Sequence, residues 1–306
     1  MLLRFFEKAV LSSDIHMKKL LAIPFLGIIL LSIVILQSCN QKDENPQTEG
    51  PKVIFKFQFD PTQERLDNLG QPATLPAGNA GQNPTFNAIG AHYFELTPTA
   101  FTQLGNGQVL YQAPEVTTDG DKAINFEQSI IKAENETYLE VPISSIAAGN
   151  YEYLRVSLSY QNYSIKFNFQ GTELDGTVAS FLGFNTYLKS YTIKDQQVSV
   201  NANKLQGYWG FETAFNTTTG DAARTTVPNP IAATSPIPAG SCVVTAKFNA
   251  PLQITGTETQ DIVITVMLST NQSFEWQDTN ANGKWDVDLN EQVVDMGVRG
   301  MKVKVE

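Results

Sequence analysis

The stretch YLRVSLSYQNYSIKFNF, residues 153–169, decides the fold class of this chain. Every second side chain in its first eight residues is apolar, and its last six residues repeat the alternation. A period of two is typical of a β-strand that buries one face and exposes the other. The tripeptide QNY at residues 161–163 separates the two patterns and predicts a hairpin turn between antiparallel strands.

Strand patterns also dominate the rest of the chain. VIFKFQF at residues 53–59 alternates in the same way, and DIVITVMLS at residues 261–269 is apolar on both faces, which predicts a central strand. Turn sequences rich in Gly, Asn and Asp lie at residues 105–107, 118–121 and 282–283, and no long stretch has helical periodicity. The sequence therefore predicts an all-β fold, an antiparallel β-sandwich.

The sequence leaves open whether residues 52–306 form one large sandwich or two smaller modules. An apolar-x-Ala-Gly pattern recurs at residues 75–80, 146–151 and 237–242, and a duplicated sandwich would divide near residues 195–204. Turn chemistry explains the recurrence more simply, because Ala-Gly suits a turn that leads into a strand and nothing else aligns at a fixed period.

The N-terminal segment has the pattern of a secretory signal peptide. MKK at residues 17–19 precedes the seventeen-residue apolar run LLAIPFLGIILLSIVIL, and a membrane-spanning helix needs about 20 apolar residues. We expect residues 1–38 to be the signal peptide, with the true start at Met17. The alternative, a signal-anchor helix, is disfavoured by the polar residues that follow so closely.

The sequence LQSC, which ends at Cys39, resembles the lipobox of bacterial lipoproteins. The resemblance implies that Cys39 is lipidated and becomes the new N-terminus, although Gln37 departs from the small residue usual in the motif. Residues 39–51 would then form a lipidated, flexible tether. An anchor of several acyl chains holds a protein stably at a membrane.

The residues Lys42, Asp43 and Glu44 follow this cysteine closely. They resemble the Lys-acidic-acidic export tag of surface-exposed lipoproteins of the Bacteroidota type. The resemblance implies an outer-membrane location with the protein facing the extracellular side, and a partner membrane reached through the lipid anchor. The alternative is a solvated tether that happens to be charged, since such compositions stay disordered.

The net charge limits the class of partner, and the cysteine content limits the possible disulfides. Removal of residues 1–38 takes away four basic and two acidic residues, which leaves 17 basic and 29 acidic residues and a net charge of −12. Such an acidic chain disfavours nucleic acid as a partner. If Cys39 is lipidated, Cys242 is the one cysteine left, so an intramolecular disulfide is excluded.

The sequence DTNANGKWDVDLNE at residues 278–291 carries the clearest chemical signal. It resembles the calcium loop of EF-hands, in which oxygen donors alternate and a glycine permits a sharp turn. The twelfth position is Leu289, so the bidentate acid would come from Asp288 or Glu291. The other implied calcium ligands are Asp278, Asn280, Asn282, the backbone carbonyl of Lys284, and Asp286.

The loop lacks the flanking helices of an EF-hand, so we expect a loop between strands. Its two neutral Asn ligands imply weak calcium affinity, with a Kd on the order of 10⁻⁴–10⁻³ M. The alternative is a solvated Asn/Asp/Gly hairpin tip without a metal.

Three tryptophans are candidates for stacking on a ligand such as a sugar ring. Trp276 and Trp285 bracket the calcium-like loop, and Trp209 lies in the aromatic-rich stretch KLQGYWGFET. Each could instead be a core residue or half of a cross-strand pair. These features favour a binding or structural module at the cell surface, with a glycan or an outer-membrane protein as partner.

Enzymatic function is less well supported by the sequence. G-x-S-x-G, phosphate-loop and H-E-x-x-H motifs are absent, and the chain after residue 38 contains one histidine, His92. A carbohydrate-active enzyme with paired carboxylates stays open, because it needs only two acids at the right separation.

Copper binding is a further alternative. It would use His92 with Met or Trp ligands, and the stretch AAGNYEYLRVSL faintly resembles methanobactin-associated copper-binding domains. A pair of Cys242 and His92 as nucleophile and base is less favoured, since CVVTAKF reads as a strand with a buried thiol.

Overall fold

The computed structural model describes residues 50–67, 71–222 and 242–306, which belong to one compact unit. The strands of the first half are β1 (Lys52–Asp60), β2 (Asn79–Gln82), β3 (Thr85–Thr97), β4 (Gln108–Gln112), β5 (Glu115–Val116), β6 (Ala123–Asn125), β7 (Ile131–Lys132), β8 (Thr137–Pro142) and β9 (Gly149–Phe169). Those of the second half are β10 (Thr172–Phe181), β11 (Asn185–Thr192), β12 (Gln197–Leu205), β13 (Tyr208–Thr213), β14 (Thr217–Asp221), β15 (Cys242–Ile254), β16 (Ile262–Ser269), β17 (Phe274–Gln277), β18 (Val293–Met296) and β19 (Met301–Val305). Short 3-10 helices occupy Phe126–Gln128, Ile143–Ser145 and Val287–Leu289. The all-β prediction is confirmed.

The strands of the described residues form four sheets. The central sheet has the order β14-β13-β10-β9-β3-β4, with β15 beside β9 and β7 beside β3. The first flanking sheet is β19-β16-β1-β8, the second is β12-β11-β6-β5, and the third is β18-β17-β2. Most neighbours are antiparallel, as predicted, but β1 is parallel to β16 and β6 is parallel to β11. Strand β16 lies between β1 and β19, which confirms its central position.

Strand β9 is the spine of the central sheet. Strand β3 pairs with it along one edge, whereas β15 pairs with the first half of the other edge and β10 with the second half. Both edges of this strand of 21 residues therefore form backbone hydrogen bonds.

The hairpin turn predicted at QNY is wrong, because β9 passes through these residues without interruption. Their polar side chains have partners inside the protein: Gln161 Nε2 donates to Ser180 Oγ at 2.8 Å, and Asn162 Nδ2 donates to the Ile193 carbonyl at 2.7 Å. A buried polar group with a hydrogen-bond partner is tolerated within a sheet. The turn at the end of the spine lies instead at Gln170 and Gly171, both with positive φ.

Three apolar cores separate the sheets of the described residues, and a fourth, smaller apolar cluster consists of Tyr93, Leu104 and Val243. The first flanking sheet packs on the first half of β9, and the second flanking sheet packs on the same face of its second half. The third flanking sheet covers the opposite face of the second half, so Val178 and Ala179, which are adjacent in β10, lie in different cores. The second half of the spine is therefore the middle of three layers.

The described residues show how the recurring Ala-Gly sequences are used. Gly149 begins β9 and Asn79 begins β2, in agreement with a turn that leads into a strand. Residues 195–204 lie mostly in β12, which pairs with β11 inside the second flanking sheet. A module boundary at that position would divide one hairpin.

A buried ion pair lies on the other face of the first half of the spine. Arg155 Nη1 and Glu95 Oε2 are 3.6 Å apart, and both residues are almost fully buried. The Glu95 carboxylate also accepts hydrogen bonds from the backbone N–H groups of Gly105 and Gly107 at 2.9 and 2.7 Å. Arg155 Nη2 donates to the Ala100 carbonyl at 3.0 Å, so the pair fastens the loop between β3 and β4 to the sheet.

The spine position leads to a stability prediction. Leu158 is fully buried where β9 pairs with both β3 and β15. We expect Leu158→Ala to lower the free energy of unfolding by about 2–5 kcal/mol, because it removes buried methyl groups and leaves a cavity. Urea denaturation measures the change. The control is Leu205→Ala, at a leucine that is 70% exposed, and equal losses in the two variants would contradict the assignment.

Candidate functional site

The calcium-like loop connects β17 to β18 at one edge of the third flanking sheet. The elements on both sides of it are strands, so the expectation of a loop between strands is confirmed. Within it, Ala281 and Gly283 have φ values of 57° and 70°, in the left-handed region that a tight turn requires.

Asp278 closes the first turn of the loop. Its Oδ1 accepts the backbone N–H of Asn282 at 3.2 Å, and its Oδ2 accepts that of Gly283 at 2.8 Å. The side-chain oxygen of Asn282 accepts the backbone N–H of Lys284 at 2.7 Å. These bonds bring the alternating oxygen-bearing residues to one side of the turn.

Asp286 is the point on which the other side chains converge. Its Oδ2 accepts hydrogen bonds from the side-chain amides of Asn280 and Asn282 at 2.8 and 2.7 Å, and its Oδ1 accepts one from Asn168. Asp286 is 4% exposed. The hydrogen bond from Asn168, followed by those from the other two amides, lowers the pKa of Asp286 below its usual range, against the effect of burial.

Of the two acids that could follow the loop as a ligand, Glu291 contacts the loop and Asp288 does not. Glu291 Oε1 accepts the backbone N–H of Thr279 and Oε2 accepts that of Asp286, each at 2.8 Å. Leu289 is 52% exposed and Asp288 is also exposed. Of the two acids that the spacing allowed, the structure therefore brings Glu291 to the other candidate ligands.

The set of donors is mixed rather than purely acidic. Within the described ranges, no three His, Cys, Asp or Glu side chains lie close enough to hold a metal ion by themselves. A cation in the loop would therefore also need the amide oxygens of Asn280 and Asn282 and the carbonyl of Lys284. A half-turn about the last side-chain bond of an amide exchanges its nitrogen and oxygen, so both Asn residues can present oxygen to a cation.

The three candidate stacking tryptophans have different environments. Trp276 is 1% exposed in the third core, and its Nε1 donates to the Lys284 carbonyl at 3.0 Å. Trp285 is half-buried, and its Nε1 donates to the Glu291 carbonyl at 3.1 Å. Trp209 is half-buried in β13, with its ring against Gly220 of β14.

Trp209 and Trp285 line one cavity of about 470 Å³ beside the loop. The ring of Trp285 also packs on Phe211, with centroids 5.7 Å apart. The other lining residues include Val293, Met296 and, at the polar end, Asp221 and Gln292. Aromatic walls with a few polar groups are typical of small-ligand sites. Trp276 does not line this cavity.

A second, more polar cavity of about 740 Å³ lies near the turn between β11 and β12. The Glu212 carboxylate there accepts backbone N–H groups from Lys194, Asp195 and Gln196 at 2.9–3.1 Å. Burial by itself would raise the pKa of Glu212, but these hydrogen bonds lower it below its usual value. A general acid of a glycosidase needs a raised pKa, so Glu212 has the properties of a structural anchor.

His92 is a buried residue of β3. Its Nε2 lies 3.0 Å from Glu115 Oε1, and its ring packs on Phe184 with centroids 5.2 Å apart. Burial opposes ionisation of Glu115, but hydrogen bonds with His92 and Lys122 lower its pKa to about 2. This arrangement ties β3 to β5.

The backbone of Cys242 begins β15 and pairs with Leu158, as the strand reading of CVVTAKF predicted.

The anchor residues lie outside the described residues. This applies to the apolar run of residues 20–36, to Cys39, and to Lys42, Asp43 and Glu44. Among the residues that the structure does describe, no helix has the length and apolar character needed to cross a membrane.

Comparison of the chain with protein-family models, curated proteins and solved structures finds no match. The function therefore has to be inferred from the residues of the site itself.

Asn168 is the site residue that sequence reasoning missed. It lies near the end of β9, 118 residues before Asp286. In SIKFNF the alternation assigns it only to the polar face of a strand. Its partner could be known only from the way the chain folds back.

The geometry of Asp286 leads to a prediction for the calcium-free protein. We expect Asp286→Ala to lower the melting temperature by about 3–8 °C, because three side-chain amides lose a charged acceptor. The folded-state pKa lies below the usual value of 3.8, so this stabilisation is present above about pH 4 and disappears as the pH falls through the folded-state pKa.

Thermal melts between neutral and acidic pH check the expectation. Asp288→Ala is the control, since it removes an exposed carboxylate from the same loop. An Asp286→Ala protein that melts with the parent at neutral pH would contradict the role given to Asp286.

Proposed function

We propose that this chain is a lipid-anchored outer-membrane protein, facing the extracellular side, with a calcium-stabilised β-sandwich ectodomain that acts as a binding or structural module. The anchor part rests on the lipobox-like LQSC sequence and the export-tag-like Lys42, Asp43 and Glu44. The observation that carries the calcium part is the convergence of Asn280, Asn282 and Asn168 on Asp286.

Calcium suits the chemistry of this loop. It takes 6–8 oxygen ligands in flexible geometry and accepts a mixture of carboxylate, amide and backbone oxygens. Asp278, Asp286 and Glu291 supply three negative charges within one short loop, and these charges repel one another without a cation. A bound divalent ion would offset that repulsion.

The loop also supports a wall of the aromatic cavity. Trp285 lies between two proposed ligand positions, the carbonyl of Lys284 and the carboxylate of Asp286, and its ring faces the cavity. Calcium in the loop would therefore hold Trp285 in place in the cavity wall to which Trp209 also belongs. A pair of indole walls with a polar rim suits a sugar ring, which has apolar C–H faces and polar edges. We therefore propose a glycan as the ligand.

The paired-carboxylate alternative has less support. Glu212 is held in its ionised form by backbone N–H groups, and Glu95, whose pKa is raised by burial, is fully buried and so has no surface for a substrate. The copper alternative relies on His92, which is also almost fully buried and whose Nε2 contacts Glu115.

Calcium should raise the melting temperature of the full chain in detergent. With a Kd on the order of 10⁻⁴–10⁻³ M, about 10 mM calcium should add about 3–10 °C, because a ligand that binds only the folded state stabilises it. Excess chelator should remove the increase, and Asp278→Ala should not show it.

Asp288→Ala is the matched control, because it removes the same charge from an exposed part of the loop. It should keep the calcium response. If the parent melts at the same temperature with calcium and with chelator, the loop is a hairpin tip without a metal and the calcium part of the proposal fails.

The cavity leads to a binding prediction. In calcium, an array of neutral oligosaccharides should identify at least one that binds, and Trp209→Ala should weaken its affinity about tenfold through loss of a stacking wall. Tryptophan fluorescence measures the affinity. Phe215→Ala is the control, since Phe215 is 78% exposed and does not line this cavity. Equal affinities for Trp209→Ala and the parent would contradict the site.

A further inference from the structure

Asn282 and Gly283 form an exposed Asn-Gly pair at the tip of the calcium-like loop. In such a pair the backbone nitrogen of the glycine can attack the side-chain carbonyl of the asparagine, because a glycine has no Cβ to hinder the approach. The sequence contains a second pair of this kind, Asn106 and Gly107, in the turn before β4. The two pairs therefore allow the effect of the surrounding structure on this reaction to be compared.

The Asp278 carboxylate is positioned as a base for the Gly283 nitrogen. The backbone N–H of Gly283 donates to Asp278 Oδ2 at 2.8 Å. An amide nitrogen attacks a carbonyl only as it gives up its proton, and a carboxylate within hydrogen-bond distance of that proton meets the geometric requirement for a general base. This hydrogen bond therefore closes the turn and also places a proton acceptor beside the attacking atom.

The Lys284 backbone N–H is positioned to stabilise the charge that the attack produces. It donates to Asn282 Oδ1 at 2.7 Å and closes a turn around Gly283. When a nitrogen bonds to the carbonyl carbon, negative charge develops on that oxygen, and a fixed backbone N–H at hydrogen-bond distance from it is the arrangement of an oxyanion hole. The Asn-Gly pair therefore has both a base and an oxyanion donor, and both belong to its own loop.

We propose that Asn282 is a self-modification site, at which the loop catalyses its own deamidation. The Gly283 nitrogen bonds to Cγ of Asn282 as its proton passes to Asp278. The Cγ–Nδ2 bond then breaks, and Nδ2 leaves as ammonia with the proton that Asp278 received. Water opens the resulting succinimide ring, and residue 282 becomes aspartate or isoaspartate. The reaction consumes water and releases ammonia, and it involves no oxidation or reduction.

The modification changes the loop because Asn282 also contacts Asp286. Its Nδ2 donates to Asp286 Oδ2 at 2.7 Å. A carboxylate at position 282 has no hydrogen to donate and repels the charge of Asp286. Trp285, which precedes Asp286, forms part of the wall of the aromatic cavity. Deamidation therefore weakens the support of that wall as the protein ages.

The second Asn-Gly pair lacks one part of this arrangement. The backbone N–H of Gly107 also donates to a carboxylate, Glu95 Oε1, at 2.7 Å. The Asn106 side chain donates to Gln103 Oε1 at 3.0 Å, but its own oxygen accepts no hydrogen bond from the described residues. Asn106 is therefore an internal control, which has a candidate base and no oxyanion donor.

The competing role of the hydrogen bonds in the loop is protection. A side chain that is held in place turns less freely into the attacking position. Under this role, folding slows the reaction at Asn282, and removal of the Asp278 carboxylate speeds it. Self-catalysis predicts the opposite sign for both effects.

Peptide mass spectrometry of the full chain separates the two roles. The chain is incubated in detergent at neutral pH with excess chelator, either folded or unfolded in guanidinium chloride. We expect Asn282 to deamidate about tenfold faster in the folded chain than in the unfolded chain, because a general base and an oxyanion donor act together. Asn106 should show no such acceleration. Asp278→Asn should slow the reaction at Asn282 about tenfold through loss of the base, whereas Asp288→Asn, at an exposed carboxylate of the same loop, should leave it unchanged.

Each outcome decides the assignment. A faster reaction in the folded chain, slowed by Asp278→Asn, supports it. If Asp278→Asn fails to fold, the comparison of the folded and unfolded parent chains decides by itself. A reaction at Asn282 that is equal or slower in the folded chain, or that Asp278→Asn leaves unchanged or speeds, overturns the assignment. Because calcium is chelated throughout, these results do not depend on the proposed calcium site.

Discussion

The hydrogen bonding of β9 along both edges is the interaction on which the rest of the structure depends. One strand of 21 residues pairs with β3 on one side and with β15 and then β10 on the other. Because its two halves carry different flanking sheets, the three cores are connected by a single continuous backbone. The end of the same strand presents Asn168 to the calcium-like loop, so the site is an extension of the spine rather than a separate appendage.

Buried carboxylates hold several loops of this fold in place by accepting hydrogen bonds from their backbone N–H groups. Glu95 receives the backbone of the loop after β3, Glu212 receives the turn between β11 and β12, and Glu291 receives the start of the calcium-like loop. Each carboxylate accepts two or more hydrogen bonds, and charged acceptors make stronger bonds than neutral ones. In a chain with two cysteines, such anchors fix loops to neighbouring strands without covalent cross-links.

Local sequence patterns were sufficient for the fold class but not for the connections between elements. Alternation identified the strand at residues 53–59, a run apolar on both faces identified the strand at residues 261–269, and Gly, Asn and Asp residues identified the turns. The QNY segment was misread because its polar residues have partners that lie far away in the chain, Ser180 and Ile193. In the site, spacing identified Asp278, Asp286 and Glu291 as candidates, whereas Asn168 depends on a contact across 118 residues. The burial of Trp276 and the shared cavity of Trp209 and Trp285 likewise follow from tertiary packing.

The position of β1 has a mechanical consequence under the proposed attachment through the N-terminal residues. The described chain enters the first flanking sheet at Lys52, and β1 is bonded to β16 on one edge and to β8 on the other. A pull applied along the axis of β1 would load its hydrogen bonds together in shear instead of opening them one after another. Eight residue pairs join β1 to β16 in unbroken register from Val53 to Asp60. Under the proposed anchor, β1 is the first described strand after the tether, and its pairing with β16 and β8 suits it to bear load.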